Sequence, residues 1–181
     1  MGNLQKLNTF DNRTFIKGAS ELKVMMWYLV NHIFINSFLP LSSLKKFFLR
    51  LFGASIGKGV LIKPFVNIKY PWKLIIGNDV WIGERVWIDN LDTVTIGNNV
   101  CISQGAMLLC GNHNYKKSHF DLITAPILLE EGVWICAKAI VGPGTVCEKG
   151  SILSPNSFAN TNLSSMGIYT GVPAKITKKR F

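Results

Sequence analysis

The chain of 181 residues predicts an all-β solenoid of short parallel strands with a helical, apolar N-terminal extension. Three observations carry the prediction. Aliphatic residues recur every six positions over most of the chain, a second small or β-branched residue follows many of them by four, and glycine often comes directly after the aliphatic residue, as in "IGND", "IGER", "IGNN" and "VGPG". A helix needs a period of 3.6 and a half-buried strand a period of 2, so a sustained period of six fits neither alone.

Residues 1–53 form the N-terminal apolar or amphipathic helical region. The run "VMMWYLVNHIFINSFLPL", residues 24–41, reaches the lower edge of what spans a bilayer, and Asn31, His32, Asn36 and Pro40 interrupt it. In "SSLKKFFLRLF", residues 42–52, Lys45, Lys46 and Arg50 alternate with Phe47, Phe48, Leu49 and Phe52. One expectation is peripheral membrane contact through residues 24–52, with aromatic faces dipping into the headgroup region and lysines meeting anionic lipid. The other is that these helices cap the solenoid or fill a subunit interface.

Residues 54–163 carry the repeat. The aliphatic register, with one cysteine, runs Ile56, Ile62, Ile68; Ile76, Ile82, Ile88; Ile96, Ile102, Leu108; then Leu129, Ile135, Val141, Cys147 and Leu153. The second register holds Val60, Val66, Val80, Val86, Val100, Ala106, Val133, Ala139, Thr145, Ser151 and Ser157. Each hexapeptide supplies a short strand with one large inward side chain and a tight turn of Gly, Asn or Asp; three close a triangular coil. The two-residue shifts from Ile68 to Ile76 and from Ile88 to Ile96 predict bulges at corners. The rhythm breaks between Leu108 and Leu129, a gap of 21 residues where a coil needs 18, so residues of about 111–126 leave the prism. Residues 164–181 form a basic C-terminal tail.

The net charge of +10 sits at the ends: residues 1–53 hold seven Lys/Arg against two acids, and the last seven residues hold Lys175, Lys178, Lys179 and Arg180 with no acid. That pattern suits anionic headgroups at one end and a phosphorylated cofactor at the other. No nucleic-acid-binding motif is present, so no nucleic-acid partner is expected. Cys101, Cys110, Cys136 and Cys147 lack CxxC spacing and read as reduced, packed thiols in the cytoplasm. The start, MGNLQK, lacks the Ser/Thr of an acylation signal, and no export segment follows.

The blocks "LFGASIGKGVLIKP", "YPWKLIIGNDVWIG", "VTIGNNVCISQGA", "TAPILLEEGVWICAKAIVGPG" and "GVPAKI" resemble the hexapeptide-repeat acyltransferases, and within them the colanic-acid-type exopolysaccharide O-acetyltransferases. The resemblance implies a left-handed β-helix, a handedness the period alone does not supply. It further implies a homotrimer with sites between prisms, acetyl-CoA as co-substrate, a sugar or lipid-linked glycan as acceptor, and no metal. The zinc enzymes that share this prism need three histidines per metal; this chain has three in all, one in the N-terminal segment. An N-acetyltransferase acting on an amino sugar and a non-enzymatic sugar-binding scaffold are the alternatives.

"GNHNY" lies where the resembled enzymes carry their general base, which assigns His113 that role; His119 matches no functional position and reads as a solvated loop residue. A sugar hydroxyl is a weak nucleophile near neutral pH, and an imidazole of ordinary pKa about 6.5 can take its proton. Many relatives have Asp directly after this histidine, whereas this chain has Asn114, so another group must orient the ring. By position, Ala137 approaches the pantetheine arm, Pro155 and Asn160 lie further along it, and Lys175 and Lys178 meet phosphates. Relatives commonly carry Thr-Lys where Asn160-Thr161 stand here, which shifts phosphate pairing toward residues 178–180. Trp134 is expected to line the same cleft, and Asp89 and Asn90, one coil below His113, to hold the acceptor.

Overall fold

A computed structural model describes residues 4–13 and 15–181. The start of the chain, Met1 to Asn3, on which the acylation reading falls, lies outside the described residues. Parallel strands stack into three faces. Face 1 holds Ser55–Ile56, Leu74–Ile76, Val94–Ile96, Ile127–Leu129 and Val146–Cys147; face 2 holds Leu61–Ile62, Trp81–Ile82, Cys101–Ile102, Trp134–Ile135, Ile152–Leu153 and Gly167–Gly171; face 3 holds Asn67–Ile68, Trp87–Asp89, Met107–Leu109, Ile140–Val141 and Phe158–Ala159. Five coils are complete, and a sixth begins with the bridge from Cys147 to Leu163.

The six-residue period becomes register directly. Ile56 pairs with Ile76, Ile76 with Ile96, Ile96 with Leu129 and Leu129 with Cys147, so like stacks on like down the axis. From Ile62 to Leu153 every residue of the aliphatic register is buried, as is the second register from Val60 to Ser157. Each fully buried Ile, Val or Leu contributes about 1.5–3 kcal/mol, so the column dominates stability.

Turn chemistry differs in part from expectation. Except after Ile68, Ile88 and Leu108, the residue three positions after each aliphatic takes positive φ, and it is Gly, Asp or Asn at positions such as Gly59, Asp79, Asn99 and Gly132 but also Phe65, Arg85 and Lys138. The glycines directly after the aliphatics serve close approach between coils. A Cβ built on Gly77 lies 2.8 Å from the Gly97 carbonyl carbon, and one on Gly83 lies 2.8 Å from Gln104 N, distances real Cβ atoms do not reach.

One corner, between faces 3 and 1, is longer than the others. The steps Ile68 to Ile76 and Ile88 to Ile96 take eight residues each and hold the turns Pro71–Lys73 and 91–93. Leu108 to Leu129 crosses that same single corner, so its 21 residues exceed an eight-residue step by 13. The surplus is measured against one corner and not against a whole coil. It folds as an antiparallel hairpin in which Gly111–His113 pairs with Leu122–Thr124.

The N-terminal region is helical. Helix α1, Glu21–Val30, starts at Ser20, whose Oγ accepts from Lys23 N, and continues into a π turn at Asn31–Ile35. Helix α2, Ser42–Leu51, buries Lys45 and Leu49 against the solenoid. Lys45 Nζ donates to the carbonyls of Ile35 and Lys63 at 2.8 and 3.0 Å, Lys46 Nζ to Val60 at 2.9 Å, and Arg50 to Ile56 at 2.9 Å; Ser42 Oγ accepts from Ile62 N. These groups satisfy backbone that the first coil would otherwise leave open, because a solenoid end is an unpaired sheet edge. The expectation that the α2 lysines meet lipid headgroups is corrected for Lys45, which is buried on the first coil, while Arg50, Phe47 and Leu51 are exposed. Burial lowers the Lys45 ammonium to about 8. Among the described residues no helix is long and apolar enough to cross a membrane.

The C-terminal basic residues are the edge of a sheet. Ala174–Lys179 returns antiparallel along Gly167–Gly171, and Arg180 donates to the carbonyls of Gly132 and Gly150 at 3.0 and 3.3 Å.

Candidate active site

The hairpin at the long corner carries His113 over a cleft of about 470 Å³. His113 Nδ1 lies 2.8 Å from the carbonyl oxygen of Phe120. A carbonyl only accepts, so Nδ1 carries the proton and Nε2 of the neutral ring keeps its lone pair. Phe120 has φ +53, a left-handed conformation uncommon outside glycine, and it brings both carbonyl and ring onto the histidine. The two rings stack at 4.2 Å with an interplanar angle of 1°, and Phe10 meets the imidazole edge-on at 5.7 Å. Asn114 takes no part: its Oδ1 accepts from Lys116 N and its N–H bonds Asp121 O, which shapes the hairpin tip. The orienting group that the Asn114 position left open is thus a backbone carbonyl.

Asp89, at the end of its face 3 strand, lines the same cleft. Lys69 Nζ stands 3.0 Å from its Oδ1, but off the hydrogen-bonding direction, which leaves that buried oxygen unsatisfied. The Asp89 carbonyl accepts from Leu91 N and Cys110 N, fixing the strand end beneath the hairpin.

Residues before α1 form an arm across the hairpin. Lys6 N donates to Ser118 O at 2.8 Å, and His119 Nδ1 lies 3.4 Å from Thr9 O, so His119 helps moor the arm. Trp72 Nε1 donates to Lys17 O and Lys73 Nζ to Ile16 O. The arm adds Phe10, Asn12, Phe15 and Lys17 to the cleft, and Tyr28 and Tyr70 complete its wall. None of these was expected. Lys69 was legible through the twenty-residue coil, since it sits one coil before Asp89 as Ile68 does before Ile88; the arm left no such signal.

The other expected residues fall elsewhere. Asn90 is fully buried, its Oδ1 accepting from Tyr70 N and its amide donating to Tyr70 O. It clamps the corner of the coil below and has no face in the cleft, which corrects its expected role with the acceptor. Trp134 lies on face 2, opposite the hairpin corner, half-exposed, with Nε1 donating to Ser103 Oγ at 2.9 Å. Ala137 and exposed Pro155 occupy successive coils at the corner of faces 2 and 3, where Asn156 N donates to Ala137 O. Asn160 is exposed after the last face 3 strand, and Lys175 and Lys178 are exposed on the terminal edge strand. Within one chain these positions do not share the His113 cleft. Arg180, bonded to two carbonyls, is occupied. Burial pushes the thiols of Cys110 and Cys147 up to about 12 and that of Cys136 up to about 11, which makes them inert packing.

A triangular parallel solenoid interrupted by one histidine-bearing excursion defines a scaffold class, and comparison with known proteins places the chain within it. The colanic acid biosynthesis acetyltransferase WcaF of Escherichia coli K12 is 35% identical over 178 residues, 98% of each chain. The galactoside O-acetyltransferase of the same organism is 24% identical over 129 residues, 70% of this chain and 64% of that protein. The Vibrio cholerae hexapeptide-repeat acetyltransferase VCA0836, solved with acetyl coenzyme A, superposes with a TM-score of 0.80 at 20% identity, covering 90% of this chain and 91% of that one. No family model matches. The chain belongs to the hexapeptide-repeat acetyltransferases of the colanic acid biosynthesis type, and its solenoid is their left-handed parallel β-helix.

Proposed function

We propose that the protein transfers an acetyl group from acetyl-CoA to a hydroxyl of a cell-envelope or exopolysaccharide sugar, with His113 as general base. The observation that carries this reading is the Nδ1 contact with the Phe120 carbonyl, which leaves Nε2 as the proton acceptor beside Asp89 in a cleft of about 470 Å³. Nε2 takes the proton of the acceptor hydroxyl as its oxygen attacks the thioester carbon. When the carbon–sulfur bond breaks, the imidazolium returns that proton to the departing sulfur. Proton uptake leaves Nδ1–H bonded to the same carbonyl, so the ring keeps its orientation throughout. Asp89, whose side chain is partly open to the cleft, accepts from an acceptor hydroxyl.

Support for acetyl-CoA as donor comes from the complex of VCA0836 with that molecule, and for a sugar hydroxyl from the galactoside O-acetyltransferase. Trp134, Ala137, Pro155, Asn160, Lys175 and Lys178 are proposed for the donor groove. They lie away from His113 within one chain, so the reading requires a neighbouring copy and favours a three-fold assembly. A solution mass of one chain contradicts it. The proposed setting is the cytoplasm, with contact at the inner membrane made by apolar side chains such as Phe47 and Leu51; co-flotation with anionic vesicles tests that part, and a protein left wholly with the soluble fraction contradicts it.

The direct experiment is transfer of labelled acetyl from acetyl-CoA to glycans extracted from the source cell envelope. Label that mild alkali releases marks an ester and supports O-transfer; alkali-stable label marks an amide and the amino-sugar alternative. No transfer despite bound CoA removes the acceptor assignment.

A further inference from the structure

The end of α1 holds polar residues that neither the core nor the base explains. Asn31, His32 and Asn36 break an apolar run, and at that point the helix loosens into the π turn Asn31–Ile35, a departure frequent at functional sites. The turn lies against the outward side of face 3. There it encloses a second cleft of about 300 Å³ with Asn67 and Trp87, and this cleft shares Tyr28, Lys69 and Asp89 with the His113 cleft as a common wall.

We propose that this second cleft is a saccharide subsite, holding the sugar unit adjacent to the one that is acetylated, so that the acceptor is an oligosaccharide or longer glycan. The inference rests on the sugar-acceptor reading of the first cleft. Trp87 and Asp89 project from the same side of one strand, about 6.6 Å apart at two residues' rise, with Asp89 nearer the hairpin. A glycan whose reacting ring sits between Asp89 and His113 therefore lays its next ring over Trp87. That indole is 39% exposed on a rigid strand, an apolar platform for the C–H face of a pyranose. Around it stand groups that can bond hydroxyls as donors or acceptors: Asn31, His32, Asn36 and Asn67. The only opposite charges in the cleft, Lys69 and Asp89, pair with each other, which suits a neutral ring.

Asn31 is the most informative of these. It is 8% exposed, its Nδ2 donates to Asn67 Oδ1 at 2.8 Å, and its own Oδ1 is buried without a partner. Such an orphan costs about 1–3 kcal/mol, and the Asn31–Asn67 pair forms the polar floor of the cleft.

The test uses two pools of sugars released from the source cell envelope by mild acid and separated by size, one of monosaccharides and one of di- to tetrasaccharides. Binding is read by saturation-transfer NMR on the His113→Ala protein, which cannot turn the sugars over. Acetyl transfer is read on the unaltered protein. The longer pool is expected to bind more tightly and to be the better acceptor. Trp87→Ala is expected to weaken binding and kcat/KM for the longer pool about five- to tenfold while leaving the monosaccharide pool and CoA binding unchanged. Trp87 points outward, so the core is untouched; His32→Ala, exposed on the opposite wall, repeats the test without touching the sheet. Equal binding of both pools, no binding of either, or equal losses on both in the variants overturns the proposal. A His113→Ala protein that still transfers acetyl contradicts the base assignment instead and leaves the subsite result standing.

Discussion

The three faces of the prism and the single long corner obey different rules. On the faces a side chain's place follows from its number: before the hairpin the same position lies one coil up twenty residues further along, as Lys69 and Asp89, or Ile68 and Ile88, show, and after it eighteen residues further, as Ile135 and Leu153 show. At the corner the contacts that matter join segments far apart in sequence and often use backbone. Lys6 meets Ser118, Lys17 meets Trp72, and the histidine is held by a carbonyl. The faces supply stability and a rigid mount; the corner carries the chemistry proposed for His113. A solenoid can keep the first nearly constant while the second changes.

Substitutions that touch one region and spare the other test that division. The largest effect is expected at the corner. His113→Ala should lower the rate of acetyl transfer by about 10²–10⁴-fold, as loss of a general base does, while the loss of its ring contacts and hydrogen bond costs only about 1–3 kcal/mol of stability, leaving the protein folded. On the faces, Ile135→Ala removes a fully buried side chain remote from the hairpin and should cost about 2–5 kcal/mol in denaturant unfolding, while the folded fraction keeps its specific activity.

The cap under the first coil gives an intermediate effect with a pH signature. Lys45→Met leaves the carbonyls of Ile35 and Lys63 without their donor and should cost about 1–3 kcal/mol. Burial holds Lys45 at about 8 against 10.5 when unfolded. Between these values the unfolded chain binds the additional proton, so stability rises with pH there. Urea midpoints measured across that window should climb for the natural chain, and the variant should lose this component. The smallest effect belongs to the arm: Phe10→Ala removes one edge-on aromatic contact, worth about 0.5–1.5 kcal/mol, and should lower transfer by up to about tenfold without altering CoA affinity.

The same division explains what could be read from the residues alone. The period of six found the core, the coil length and the site of the excursion, because burial on a solenoid is a matter of register. The assignment of His113 rests on resemblance. Its orienting group was not legible, since every residue has a carbonyl and only the fold at Phe120 turns one onto the ring. Asn90 was misplaced for a related reason: neighbours on a strand point to opposite sides, so Asp89 faces the cleft and Asn90 the interior. Lys45 looked like a membrane contact because a helix of mixed aromatic and basic residues suits a headgroup region, but composition does not say that this lysine turns inward beside Leu49 to meet the open end of the solenoid.

The central claim is that His113 is a preset base, with Nδ1 protonated against Phe120 and Nε2 free. Nitrogen-15 shifts of the histidine side chains, recorded where the imidazoles are neutral and assigned by loss of signal in His113→Ala, test it most directly. The structure predicts that Nδ1 of His113 bears the proton and that Nε2 shows the shift of an unprotonated nitrogen. A proton found on Nε2 would mean that the ring faces the acceptor as a donor, and the proposed base would be contradicted.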